Sequence, residues 1–330
     1  MGLGEVDTMP ETNPPAPLPD PEVLCEVQAR LDKARAAHPV LESAVIDEVL
    51  RIVPGKRAIL SGQWQGRGVV FRLAERHDAE RQAREWQELV RIWPVMQTGR
   101  YRVAEPMLFL PVAGVMVVER VAGQPLLEHF WRSDPNRRAQ HLRPAAEWLR
   151  LYTEGTESWR AGNAAGWLAR AERSAAQQPF ARLRAVEGEI LRHLHTLAGS
   201  LKEAEWRVAI CHGDFHPNNL ILGRDRLTGI DTGGSARLPI CKDIARFLVH
   251  MGRRGMIPSG QRWLGVDGQG IETFVGVFAL TETERRLWLP FFIGVEALIR
   301  VERKGMKKGR LRHAEEMYAA LAGDLAGLPG

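Results

Sequence analysis

The sequence predicts an α+β fold in two lobes, a small antiparallel sheet followed by a mainly helical part. Three observations carry this. The chain has 330 residues, more than one ordinary hydrophobic core accommodates, so two lobes are expected. Short β-branched and aromatic runs separated by turn residues cluster between residues 44 and 121. After residue 126, charged stretches with apolar residues at helical spacing dominate. The composition is that of a globular protein, with 45% hydrophobic and 26% charged residues. A net charge of +5 is mild for this length and does not call for a nucleic-acid partner.

Each element follows from its own stretch. Residues 1–20, MGLGEVDTMPETNPPAPLPD, are acidic and proline-rich with no apolar run; they read as a disordered tail without a secretory signal. Helical periodicity runs through PEVLCEVQARLDKARAAHPVLESAVIDEVLRIV (21–53), with Val27, Leu31 and Ala34 on one face. Residues 21–43 form the expected N-terminal helix, and the sheet lobe spans 44–125. There, RAILSGQW and GVVFRLA read as two strands joined by a turn at Gln65–Gly68, and PGKR is a turn before them. DAERQAREWQELVRIWP (78–94) reads as a helix stopped by Pro94. PMLFLPVAGVMVVERVAG (106–123) holds two more strands around VAG.

The helical lobe spans 126–330, with breaks near Asp134–Pro135 and Ala161–Gly162. EWRVAI (205–210) is β-prone, and NLILG with LTGID reads as a hairpin around Gly223–Arg226. From residue 243 the pattern is helical again. LWLPFFIGVEALI (287–299) is too short for a membrane span and is interrupted by Pro290 and Glu296, so it reads as a buried helix. The three cysteines show no paired spacing, which fits a reducing cytoplasm without a disulfide framework or zinc site.

The densest chemistry lies in CHGDFHPNNLILGRDRLTGIDTGG (211–234). His212, Asp214 and His216 alternate, so on a strand they share a face and could meet one metal ion. Gly213 and Pro217 argue instead for a loop, and no further His or Cys cluster supplies a fourth ligand. Any one of these residues alone is more simply a turn residue bonding backbone. The set as a whole fits phosphoryl transfer. That chemistry needs a carboxylate to receive the acceptor hydroxyl's proton, and oxygen ligands for the magnesium that neutralises the β- and γ-phosphates. His212-Gly213-Asp214 is followed five residues on by Asn219, and Asp231-Thr232-Gly233 arrives twelve residues after that, beyond the hairpin. Kinases use this order: an aspartate, an asparagine five residues later, then a D-x-G.

HGDFHPNNLI followed by IDTGG resembles the aminoglycoside phosphotransferase and choline kinase group, which shares the protein-kinase-like fold. The resemblance covers roughly residues 50–250. VVERVAGQPL (117–126) resembles the group's interlobe hinge, KDIARFL (242–248) its helix start after the metal loop, and GQWQGRGVVFRL (62–73) the hairpin of lipopolysaccharide-kinase-like proteins. It implies a bilobal, ATP-dependent small-molecule kinase with MgATP held between the lobes. Asp214 is then the base, Asn219 and Asp231 the Mg2+ ligands, His212 a brace for the loop, and His216 a group near the γ-phosphate. Glu119, Arg120 and Val121 are expected to offer backbone groups to adenine. Asp243 takes a structural role. Glu85, with Glu80 and Glu88 as competitors, is the helix glutamate that pairs with the phosphate-binding base.

The chain departs from the group's pattern at that base. Arg72 stands where the strand lysine is expected and binds the α- and β-phosphates as a planar fork, or else Lys56, the only lysine of the sheet lobe, reaches in from the PGKR turn. The glycine-rich loop is short, and Asp231 is followed by Thr and two Gly. These departures keep a non-catalytic nucleotide-binding pseudokinase or scaffold as the alternative. The implied acceptor is a hydroxyl of a sugar-, lipid- or aminoglycoside-like molecule. RVERKGMKKGRLRHAEE (300–316) is strongly basic. It reads either as a solvated helix end or as a surface for an anionic or lipid-linked acceptor, with peripheral contact at the inner face of a membrane. No aromatic-interleaved basic patch speaks for RNA. Tryptophans 131, 148, 159 and 167 read mostly as core, with pocket lining as the other role.

Overall fold

The structure is a computed structural model describing residues 21–328, so the tail read over 1–20 lies outside the described residues. Along the chain run α1 (Pro21–Ala37), β1 (Val45–Val53), β2 (Arg57–Trp64), β3 (Arg67–Ala74), α2 (Ala79–Met96), β4 (Tyr101–Val103), β5 (Pro106–Leu110), β6 (Val115–Glu119) and β7 (Gln124–Pro125). Then come α3 (Leu126–Arg132), α4 (Leu142–Thr153), β8 (Ser158–Ala161), α5 (Ala164–Ala175), α6 (Ala181–Ser200), β9 (Glu205–Cys211), β10 (Leu220–Leu222), β11 (Leu227–Gly229) and β12 (Ala236–Pro239). The chain ends with α7 (Ile240–Gly252), β13 (Arg262–Trp263), β14 (Val266–Asp267), α8 (Gly268–Phe278), α9 (Leu289–Leu298) and α10 (Lys308–Ala326). The fold is α+β. It divides into two compact units, Met1–Gln87 with Ala104–Val121, and Glu88–Val103 with Ala122–Gly330.

The first unit is an antiparallel sheet ordered β1-β2-β3-β6-β5. The helical period read through 21–53 ends early: α1 stops at Ala37 and residues 45–53 are a strand. Val45, Ile46, Val49, Ile52 and Val53 are β-branched, and pairing with β2 offsets the weak helical periodicity that remains there. The β2–β3 turn is tighter than expected. Trp64 pairs with Arg67, leaving Gln65 (φ 51°) and Gly66 (φ 73°) as a two-residue left-handed turn. Val27, Leu31 and Ala34 of α1 are buried with Leu60, Trp64, Phe71 and Val115 in one core. Each of the larger of these side chains contributes about 1.5–3 kcal/mol. Helix α2 passes Pro94 and ends at Met96. The proline sits in the last turn, where it removes one hydrogen bond without stopping the chain at once.

The second unit holds the parallel pair β4–β11 in a sheet ordered β4-β11-β10-β7, the sheet β12-β9-β8, and the β13–β14 hairpin. The region read as helical between 126 and 205 therefore includes strand β8, and the region after 243 includes β13 and β14. These strands are two to four residues long, too short for a period-2 signal. The expected hairpin forms as β10 and β11, pairing Leu220 with Gly229, and the Gly223 amide bonds the Arg226 carbonyl at 2.9 Å. Helix α9 is buried along its whole length and packs against α7. Trp148 is fully buried, stacking on Phe215 and Tyr152 at 5.7 and 5.1 Å, whereas Trp159 is 46% exposed.

Candidate active site

Strand β9 delivers the chain into the loop at His212. The loop is held from several sides. His212 is fully buried among Trp148, Tyr152 and Phe215, and its Nε2 lies 3.0 Å from the Ile230 carbonyl. That contact ties the start of the loop to the end of β11. Gly213 turns the chain at φ 80°, and a Cβ there would come within 1.9 Å of the Gly234 carbonyl oxygen. Only glycine fits. The Gly213 amide donates to Asp243 Oδ2 at 2.9 Å, and buried Lys242 donates to the Gly213 carbonyl. Asp243 thus supports the loop from α7.

Asp214 projects from this brace. Its Oδ1 accepts from Arg246 Nε at 2.8 Å and Arg300 Nη2 at 3.3 Å. Its Oδ2 has a looser neighbour, His216 Nε2 at 3.5 Å. Burial alone raises the Asp214 carboxyl. Hydrogen bonding from His216 and the charge of Arg246 outweigh it, and hold the group well below the usual carboxylate range. His216 is pulled down by burial, against the opposing pull of Asp214, and so favours the neutral ring. The ring stacks on His250 with centroids 4.3 Å apart. Arg300 reaches back to Glu296 at 3.7 Å, so the clamp on Asp214 is rooted in buried α9.

Asn219 is buried, and its Nδ2 donates to the Asp214 carbonyl at 3.0 Å. Its amide oxygen is therefore left for another partner. The Asn219 carbonyl accepts from the Ile230 amide at 2.9 Å, so the hairpin links the Asn219 backbone to the residue before Asp231. Asp231 is exposed and takes a left-handed backbone, φ 60° and ψ 54°, uncommon for a residue with a side chain but tolerated best by Asp and Asn. One amide oxygen and one carboxylate are hard donors. They fit a magnesium ion, which takes one or two protein ligands and completes its shell with phosphates and water. They do not fit an all-protein metal cage: among the described residues no group of three His, Cys, Asp or Glu could hold a metal. His212, Asp214 and His216 accordingly do not converge as ligands.

In the first unit, Arg72 on β3 forms an ion pair with Glu85 of α2, both largely buried. Gln82 donates to the Arg72 carbonyl at 2.7 Å and fixes the strand beneath it. The two competitors of Glu85 are occupied elsewhere. Exposed Glu80 faces Arg84 at 3.6 Å, and Glu88 accepts from Arg91 and from the Tyr152 hydroxyl, both at 2.6 Å. Lys56 is exposed in the β1–β2 turn, where its carbonyl accepts from the Glu75 amide at 2.7 Å. At the end of β6, the Glu119 and Arg120 amides bond the Glu105 and Gly68 carbonyls at 3.0 and 3.1 Å. Arg120 also faces Asp47 at 3.6 Å. Two of the three amides assigned to adenine are thus spent inside the unit.

Sequence reasoning missed Arg246, Arg300 and His250. Arg246 lies one helical turn after Asp243 in KDIARFL, a spacing that puts both on the same face of α7. Arg300 carried no local signal, since it meets Asp214 across 86 residues.

A model of the phosphotransferase enzyme family matches residues 56–265. No curated protein matches. Among solved structures, the choline kinase of Streptococcus pneumoniae is 14% identical, with TM-score 0.54, over 90% of this chain and 99% of its own. A thermostable mutant of an aminoglycoside phosphotransferase is 14% identical, with TM-score 0.59, over 87% of this chain and 97% of that one. An amicoumacin kinase in complex with AMP-PNP and Ca2+ is 13% identical, with TM-score 0.56, over 89% and 96%. At these identities the likeness is one of fold, the protein-kinase-like fold.

Proposed function

The chain belongs to the phosphotransferase enzyme family, and from that premise we propose that it moves the γ-phosphate of MgATP to a hydroxyl of a small-molecule acceptor. The observation that carries this reading is the single braced segment that presents Asp214, Asn219 and Asp231 in the order phosphoryl transfer requires. The structural likeness to a kinase with AMP-PNP bound supports the choice of nucleotide. Nucleotide binding is assigned to residues 44–125, where Arg72, oriented by Glu85, takes the α- and β-phosphates. Arginine does this as a planar fork where lysine acts as a point charge. The catalytic loop and the acceptor site are assigned to 126–330.

Asp214 accepts a hydrogen bond from the acceptor hydroxyl through Oδ2, since Oδ1 is taken by two guanidinium groups. A carboxylate this acidic removes little proton density from a resting alcohol. Its work is to orient the hydroxyl in line, worth several kcal/mol through positioning alone. The oxygen–phosphorus bond forms as the bond from the γ-phosphorus to its bridging oxygen breaks. The electron pair leaves with ADP, and the hydroxyl proton passes to Asp214 as the oxygen loses basicity. Asn219 and Asp231 hold the magnesium ion, which when bound neutralises the phosphate charge. Lys242, Asp243 and His212 keep the loop in register.

The acceptor class proposed is a sugar-, lipid- or aminoglycoside-like alcohol. An ADP-release screen over such alcohols tests the activity. Thermal unfolding with and without MgATP tests the site directly. A magnesium-dependent rise that shrinks in Asp231→Ala is expected. No rise with ATP or GTP overturns the reading.

A further inference from the structure

The C-terminal half of α7 and the segment after α9 carry more positive charge than the clamp on Asp214 uses. Arg246 and Arg300 are accounted for by Asp214. Arg253 is accounted for by Glu302 and the Arg300 carbonyl. Arg254 is different. Its Nη1 donates to the His250 carbonyl at 2.7 Å, but no carboxylate pairs with it among the described residues. Burial and the charges of Arg310, Arg253 and Arg246 push its guanidinium down to about 9, so it remains charged at neutral pH among like charges. The negative end of a helix explains one cation at the α7 C-terminus. Arg310, brought in from α10, feels the Glu302 carboxylate, but that carboxylate is already bonded to Arg253.

His250 adds an independent observation. The side chain is 4% exposed. Its Nδ1 lies 3.3 Å from Arg246 Nη1, and a guanidinium can only donate, so Nδ1 accepts and Nε2 carries the hydrogen. That buried Nε2 has no hydrogen-bond partner. A buried donor without an acceptor is costly and marks a missing group. Burial and the charges of Arg254, His216, Arg246 and Arg310 hold this ring well below the usual imidazole range. The ring also stacks on His216, which neighbours Asp214. The unmet donor thus belongs to a ring that stacks on the neighbour of the proposed base.

Resting on the kinase reading above, we propose that Arg254, Arg310 and the Nε2–H of His250 seat an anionic group of the acceptor, which is thus a hydroxyl compound carrying a phosphate ester or a carboxylate. The guanidinium groups supply charge and paired donors, and His250 supplies a donor already stripped of water. Holding the anion there places the free hydroxyl of the same molecule toward Asp214.

Binding to the full chain tests the seat without relying on turnover. Calorimetric titration with glycerol 3-phosphate and inorganic phosphate, in the absence of Mg2+, is compared with glycerol and choline. The phosphate compounds are expected to bind with Kd near or below about 1 mM, and glycerol and choline far more weakly. Arg254→Gln weakens phosphate binding at least tenfold, Arg254→Lys less so, and Arg310→Gln weakens it from a second element. The magnesium-dependent thermal shift with ATP is read on the same samples. If that shift appears but glycerol 3-phosphate binds no better than glycerol, the seat is overturned. The same follows if Arg254→Gln and Arg310→Gln both leave phosphate affinity unchanged. If phosphate binds and the ATP shift is missing, the kinase reading fails while the seat stands. Co-sedimentation with phosphatidylcholine vesicles, with and without phosphatidylglycerol, identifies the source. Arginine-dependent binding only to anionic vesicles assigns a lipid-borne phosphate, and binding only in solution assigns a free one.

Discussion

Asp214 lies between two guanidinium groups and an imidazole, and its variants separate orientation from binding. Asp214→Ala is expected to keep MgATP binding and to lower transfer by about 10²–10⁴-fold; ADP release at saturating nucleotide checks this. The same carboxyl has a lowered folded-state pKa. Its contribution to stability is present above the unfolded value near 3.9 and is lost as pH falls below it. The stability gap between wild type and Asp214→Asn is therefore constant from about pH 5 to 8 and closes on further acidification. Denaturant midpoints across pH measure it. At Arg72, Arg72→Ala leaves Glu85 as an unpaired buried charge and costs about 3 kcal/mol. Arg72→Lys keeps the charge, so its unfolding midpoint lies closer to wild type. At this scale the motif residues were legible because their spacing is fixed by one loop and one hairpin. The guanidinium clamp was not, since Arg246 and Arg300 meet Asp214 from 32 and 86 residues away.

The elements around the site show the same division. The β2–β3 and β10–β11 hairpins and buried α9 could be read from alternation, turn residues and an interrupted apolar run, all of which are local signals. Strand β1 was hidden behind a helical period, because Ile46, Val49 and Ile52 recur every three residues and reach one core only through the register shifts at Ile46/Glu48 and Val49/Arg51 that pairing with β2 imposes. Strands β8, β13 and β14 are held by partners rather than by their own pattern. The loop from β9 to β10 depends on a close backbone approach at Gly213. Gly213→Ala is expected to cost about 1–3 kcal/mol for the left-handed backbone alone, with further loss from displacing the Gly234 carbonyl. Thermal unfolding reads the stability loss. A parallel fall in the MgATP-induced shift would show that the loop also carries Asn219 and Asp231 into place.

For the whole molecule, ligand binding and folding are one equilibrium. On the proposed reading, MgATP at ~100 times its dissociation constant is expected to add ~2.7 kcal/mol to the native state, and a calorimetric scan with and without nucleotide measures this gain. Asp231→Ala removes most of it. The strand cation has a consequence for how such a protein is found. Only seven of the chain's 45 basic residues are lysine, and the one paired with the α2 glutamate is Arg72. A guanidinium stays protonated at neutral pH and does not behave as an amine nucleophile. Acyl-phosphate nucleotide probes, which label kinases by acylating an amine beside the phosphates, will leave Arg72 unmarked. On the proposed placement of Arg72 beside the phosphates, a chemoproteomic survey that counts kinases by that label is expected to pass over Arg72, and Arg72→Lys to restore the tag there.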